Sequence, residues 1–272
     1  MFYMGLIREP ITVRPHDSLL QTLKIMVMDY VPKAVVADER GIPLGTVTQK
    51  DILKFIYYHG EKRSFSSIKV SEFMEKDFIA VNEGVDYLEA AHIFESKKVP
   101  MLVITSQEGK VIGMIIKSDL SGFYASKIKG LHKVKDFMIK DPICLNVKDS
   151  VYDSFRLMVE KGLGRIPLTN DDGKLEGIVT TTDMLFISPF LKAKSDVKVE
   201  DIMNPDPFVV YEEEDLSSAA KLMANRKIKS VPVINDSGRP IGLITTSDVV
   251  RALTSDSVRE YLFEIKMYTT SF

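Results

Sequence analysis

The chain has a single cysteine, Cys144, among 272 residues. One thiol excludes an internal disulfide and a cysteine-based zinc site. The four histidines offer no substitute: His16, His59 and His132 fall in expected loops without ligand spacing, and His92 lies on the polar face of an expected helix. No apolar run approaches the roughly 18 residues of a membrane span, and Met1 to Pro15 lacks the basic-then-apolar layout of a signal peptide, so a cytoplasmic location is the expectation. Neither sign of charge dominates. Lys and Arg number 36 against 38 Asp and Glu, a net charge of −2, which leaves no global field to draw in nucleic acid or an anionic membrane. Any bound anion must therefore be held by local groups. Nucleophile elbow, P-loop and HExxH patterns are also missing, so no catalytic activity is expected. With 45% hydrophobic and 27% charged residues, the chain has enough apolar material for one large or two smaller cores.

What is present is repetition. Segments starting at Leu6, Met74, Met138 and Met203 align over 46 residues without a gap and end at Asp51, Asp119, Asp183 and Asp248. A motif glycine precedes each aspartate by six residues (Gly45, Gly113, Gly177, Gly242), and a turn glycine stands four residues earlier (Gly41, Gly109, Gly173, Gly238). Spacing kept while most side chains change says that the backbone path is what each copy must preserve. The aspartates recur at intervals of 68, 64 and 65 residues. Solenoid repeats are shorter, about 20 to 50 residues, so each copy is expected to be a small βα subdomain packed against a sibling.

Each copy opens on a β-like run: Pro10 to Val13, Phe78 to Val81, Pro142 to Leu145 and Pro207 to Val210. Five residues after each comes Ser18, Asp86, Ser150 or Asp215, favoured N-caps whose oxygens accept from first-turn amides. The helices so begun carry apolar residues at i, i+4, i+7 (Leu19, Leu23, Met26 in the first copy) with a small residue between them: Thr22, Ala90, Ser154 or Ala219. That small residue predicts close approach of another helix. Two β-rich stretches follow, joined by hairpin punctuation such as Asn235 to Gly238, and a second helix starts from the aspartate. The unit is β-α-β-β-α. The first linker, Tyr57 to Ile68, reads as an exposed charged loop, and from Ser257 the tail has helical spacing. The expected divisions are 1–62, 63–130, 131–195 and 196–256, with a C-terminal helix or tail over 257–272.

Four β-α-β-β-α copies, a hydrophobic-Pro-Val-like strand, and Gly-x-x-Thr-x-x-Asp entering a helix resemble CBS domains, named for cystathionine beta-synthase. Gly177 to Asp183 and Gly242 to Asp248 carry the likeness most clearly. It extends over nearly the whole chain, and it is similar to the gamma subunit of AMP-activated protein kinase and to stand-alone archaeal and bacterial relatives. The resemblance implies an α/β (α+β) fold in which copies 1 with 2 and 3 with 4 form Bateman modules, and two modules form a disc. It also implies adenine nucleotides (AMP, ADP or ATP) as ligands in the clefts between paired copies, no catalysis, and a protein partner that reads occupancy.

The residues suit that chemistry. A helix beginning after a glycine turn offers unpaired amides and a positive dipole end to phosphate, and Thr180, Thr182, Thr245 and Ser247 add hydroxyls. By the resemblance, Asp183 and Asp248 hold ribose. Asp183 then shares its cleft with Lys229, Ser230 and Val209, and Asp248 with Gly164, Arg165 and Cys144, the Arg165 fork being suited to phosphate. In the first module Thr48 and Asp51 face Pro100 and Met101, while Asp119 faces Pro32 and Lys33. There are departures: Ile116 replaces the copy-2 threonine, and Lys50 stands where a hydroxyl precedes the copy-1 aspartate. The expected order of sites is copy 4, copy 3, copy 1, copy 2.

A structural alternative accompanies each element of this reading. Thr-x-x-Asp before a helix is also a capping box, which every repeat needs. Arg165 can be a salt-bridge partner, Lys229 belongs to a charged stretch with Arg226 and Lys227, and Cys144 reads as a strand interior position. S-adenosylmethionine or a dinucleotide is an alternative ligand, and a ligand-free assembly scaffold is an alternative role. The chain is expected as a monomeric disc or a homodimer.

Overall fold

The computed structural model describes residues 7–28, 32–59, 63–188 and 196–269; Leu6, residues 60–62 of the first linker and the last three residues of the tail lie outside them. Copy 1 comprises β1 (Thr12–Val13), α1 (Leu19–Met28), β2 (Lys33–Ala37), β3 (Pro43–Thr48) and α2 (Gln49–His59). Copy 2 repeats the order with β4 (Ile79–Asn82), α3 (Tyr87–Lys97), β5 (Met101–Thr105), β6 (Val111–Ile116) and α4 (Lys117–Lys127). Copy 3 is led in by α5 (Val134–Phe137) and β7 (Ile139–Lys140), then runs β8 (Leu145–Asn146), α6 (Val151–Glu160), β9 (Arg165–Thr169), β10 (Leu175–Thr180) and α7 (Thr181–Ile187). Copy 4 is led in by β11 (Asn204–Pro205) and runs α8 (Leu216–Arg226), β12 (Ser230–Ile234), β13 (Pro240–Thr245) and α9 (Thr246–Leu253), with α10 (Asp256–Thr269) after it.

The expected caps are in place: Asp86, Ser150 and Asp215 accept from Glu89 N, Asp153 N and Ser217 N, and Ser18 Oγ from Gln21 N. Two expectations need correction. Copy 4 has no opening strand, only a parallel bridge at Val210, and copy 3 begins its strand at Leu145, so Cys144 stands ahead of the strand and not inside it. Proline is the reason. Val210 donates to Pro232 O and accepts from Ile234 N, each at 3.1 Å; the next rung needs an amide hydrogen on residue 232, which proline lacks. Pro167 stops β8 the same way. Valine occupies this position in copies 1 and 2, and Val35 N makes the missing rung to Ile11 O at 2.8 Å. The first linker also differs from expectation: α2 runs on to His59, and Ile68 is fully buried.

The motif glycines are explained by what crosses them. The segment leading into each copy pairs with the third strand of its sibling: Arg8 with Met114, Glu75 with Thr46, β7 with β13 and β11 with β10. A Cβ on Gly45, Gly113, Gly177 or Gly242 would collide with that crossing segment, at Glu75, Ile7, Met203 or Met138. Copies 1 and 2 thus exchange lead-ins, as do copies 3 and 4. The crossing also corrects the gapless frame. Ile7, one residue beyond Leu6, lies over Gly113 as Met203 and Met138 lie over Gly177 and Gly242, so the first copy's lead-in is offset by one residue.

Hydrophobic burial joins copies across these pairs. One core combines copies 2 and 4 through α3, α4, α8 and α9 and is covered by α10, whose Val258 is fully buried. A second combines copies 1 and 3 through α1, α2, α6 and α7. The small helix residues sit here, Thr22, Ala90, Ser154 and Ala219 all being fully buried. A smaller cluster of Val35, Met101, Val103, Met114 and Ile116 joins the sheets of copies 1 and 2. Every copy is therefore fixed to one sibling by strand exchange and to another by helix packing, and the four second-helix N-termini are held by both.

Candidate functional site

The capping reading holds in all four copies and uses one carboxylate oxygen in each. Asp51, Asp119, Asp183 and Asp248 accept on Oδ2 from the backbone N of Thr48, Ile116, Thr180 and Thr245 at 2.7–2.9 Å. The hydroxyls of Thr48, Thr180 and Thr245 donate to the same oxygen at 2.6–2.8 Å, so their hydrogens are committed within the protein. The copies differ at the other oxygen. Oδ1 of Asp119 is held by Arg8 and Oδ1 of Asp248 lies 3.1 Å from Arg251 Nη2, while among the described residues no other residue bonds Oδ1 of Asp51 or of Asp183. Burial pushes the carboxyls of Asp51, Asp183 and Asp248 up, opposed by their threonine hydrogen bonds.

Around these termini stand five cations drawn from four copies. Lys33, half-buried at the start of β2, donates to Pro100 O at 2.5 Å; its ammonium is pulled down to about 7, first by burial and then by Lys229 and Lys117, with Asp119 opposing. Lys229 is likewise pulled to about 7 by burial, then by Arg165, Lys50 and Arg8. Arg165 is brought to about 10 by burial. Lys50 reaches from α2 into copy 3, donating to Gly162 O at 2.6 Å with its Cε beside Gly164, and is lowered by burial and by Arg165. Lys117 reaches from α4 into copy 4, 3.1 Å from Ser247 Oγ, and is lowered by burial. The Arg165 guanidinium and the Lys229 ammonium have no hydrogen bond or ion pair among the described residues, although both backbones are bonded, Lys229 O to Thr246 N and Arg165 in the ladder opposite Thr180. Like charges crowded into a partly desolvated space each suppress the other's ionisation, and a bound anion would reverse that cost. Chemically, such a cluster can hold an anion.

The remaining expected residues fall as follows. Thr182 Oγ1 donates to Gln49 Oε1 at 3.1 Å, a contact between copies 3 and 1. Gly164 O accepts from Thr181 N and Oγ1. Ser230 is buried opposite Thr245 in the β12/β13 ladder, and Val209 is half-buried beside the Val210 bridge. Cys144 donates to Pro142 O at 3.3 Å and its thiol is pushed up by burial, the condition of an inert cysteine. Sequence reasoning passed over Lys50, Lys117 and Arg8 as cations of the site. The frame did put Lys50 and Lys117 in the first turn of their helices; which copies meet across the helices was not in it.

A family model described as CBS domain matches residues 6–58, 70–126, 134–189 and 199–255. Protein MJ1225 of Methanocaldococcus jannaschii is 26% identical over 264 residues, covering 89% of this chain and 94% of that one. Its crystal structure, proposed as an archaeal homologue of g-AMPK, superposes with a TM-score of 0.81 at 25% identity, covering 92% of this chain and 98% of that chain. A 33.4 kDa protein in a ribosomal RNA operon of Thermofilum pendens is 26% identical over 267 residues, 90% of this chain and 88% of its own length. A Pyrococcus horikoshii protein shares the fold, with a TM-score of 0.65 at 20% identity over 91% of this chain and 97% of that one.

Proposed function

The chain belongs to the CBS domain family, and on that premise we propose that it is a non-catalytic binding protein for adenine nucleotides whose occupancy is read by a protein partner. The observation that carries this reading is the pair Arg165 and Lys229: half-buried cations whose side chains have no partner among the described residues, Arg165 opposite Thr180 at the start of α7 and Lys229 accepting on its carbonyl from Thr246 N at the start of α9. Amides and a positive dipole end add to them. Lys50 and Lys117 extend the same field into copies 3 and 4 from the other module. Such a field favours ligands in the order ATP, ADP, AMP. It disfavours S-adenosylmethionine, whose sulfonium is itself a cation and which carries no phosphate.

For occupancy to signal, the partner must bind the loaded and empty forms with different affinity. No helix among the described residues is long and apolar enough to cross a membrane. A scaffold with closed clefts is the second reading, favoured in the first module by the Arg8 and Asp119 pair. Calorimetric titration with ATP, ADP, AMP and S-adenosylmethionine tests both. Saturable heat with the nucleotides and a weaker or absent response to the sulfonium compound is expected; no saturable heat with any adenosine compound overturns the nucleotide reading and leaves the scaffold.

A further inference from the structure

The copy-2 cleft is closed by a side chain of its own module. Arg8 exchanges both backbone hydrogen bonds with Met114 of β6, at 3.1 and 3.2 Å, while Ile7 lies over Gly113. That pairing delivers the Arg8 guanidinium to Asp119: Nε stands 3.2 Å from Oδ1 and 3.3 Å from Oδ2, and Nη2 also bonds Oδ1. With Ile116 N on Oδ2, both oxygens of Asp119 are engaged. The register shows why this happens once. The residues that pair where Arg8 does are Glu75 opposite Thr46, Ile139 opposite Leu243 and Asn204 opposite Ile178. Only copy 1 places a cation there; Glu75 instead adds a repelling charge beside Asp51. The opposing cation of this cleft, Lys33, is turned to Pro100 O.

We propose that Arg8 is an internal occupant of the copy-2 cleft, taking the carboxylate that ribose hydroxyls would otherwise take and tying the lead-in strand across the site. This rests on the nucleotide reading of the clefts. The bidentate fork on a carboxylate is the geometry that guanidinium holds best, so the latch stays shut when the other clefts load. Opening it frees Oδ1 of Asp119 as an acceptor in the first turn of α4.

The test counts ATP bound per chain at saturation by equilibrium dialysis, for the full-length wild type, Arg8→Gln, and Arg8→Gln combined with Asp119→Ala. Arg8→Gln is expected to bind one ATP more per chain than the wild type, and the double variant to lose it again. Equal stoichiometry in the wild type and Arg8→Gln overturns the latch while leaving the nucleotide reading intact; no ATP bound by either protein is the separate failure of that reading. Hydrogen exchange at the Met114 amide of the wild type, which bonds Arg8 O, supplies a readout independent of the variants. Protection unchanged under saturating ATP is expected, and its loss would show that ligand displaces the strand and that the site is not closed.

Discussion

The two modules share one backbone plan and differ in what their polar groups have left to do. In the first, Asp119 is bound by Arg8 and Lys33 by Pro100 O. In the second, the side chains of Arg165 and Lys229 have no such partner among the described residues. The first module even spends two of its lysines on its neighbour, Lys50 on Gly162 O and Lys117 on Ser247. An unpaired, partly desolvated charge is expensive to hold, and a bound anion would offset that cost. Repetition of a fold therefore does not repeat a site: the difference lies in which hydrogen-bonding groups the protein satisfies by itself.

Removing one cation from each module should separate the two most. Arg165→Ala takes away a guanidinium able to make charge-assisted bonds to phosphate, worth about 2–3 kcal/mol, so ATP affinity should fall about 30- to 150-fold. Lys33→Ala removes a lysine already committed to Pro100 O, and affinity should change less than about threefold. Titration calorimetry of the two folded variants decides it. Equal losses would show that the modules bind alike and that the internal partners in the first are readily exchanged for ligand.

How much of this was legible in the sequence depends on whether the information is local. The N-caps, the turn glycines and the apolar stripe are set within a few residues of themselves, and all are found where the repeat put them. The prolines that shorten the opening strand of copy 3 and prevent that of copy 4 were equally visible; what had to be known was that an amide of β9 and β12 serves the edge strand. Long-range pairing was the opaque part. Nothing near Lys50 says that its ammonium ends at Gly162, and nothing near Arg8 says that Asp119 lies across from it. Both follow from strand exchange and helix packing between copies, and an offset of one residue in the lead-in sufficed to put an arginine in register with β6.

Two lysines of the first module test whether the modules act independently. Lys50→Ala and Lys117→Ala alter only the first module's sequence, yet each removes a positive charge standing in copy 3 or copy 4. Each should weaken ATP binding about tenfold, equivalent to about 1.4 kcal/mol, and AMP binding less, because AMP brings fewer phosphates. Both losses should shrink as salt is raised. Variants that bind ATP like the wild type would mean that the two modules hold their ligands separately.

The smallest expected effect is a pH dependence, and its sign discriminates sharply. Folding lowers Lys33 and Lys229 to about 7, so between about 7 and the ordinary lysine range near 10.4 the folded protein binds fewer protons at these positions than the unfolded chain. Their contribution makes the ligand-free protein more stable as pH rises through that window and less stable as pH falls through it. A polyphosphate acts in the opposite sense. Negative charge beside Lys229, which already faces Arg165, Lys50 and Arg8, raises its proton affinity, so ATP binding at pH 8 should take up protons and weaken as pH rises toward 9. Calorimetry in two buffers of different ionisation enthalpy measures that uptake directly. Because Lys33 in the first module is tied to Pro100 O, the uptake should persist in Lys33→Ala and disappear in Lys229→Ala; the reverse pattern would move the phosphates to the first module.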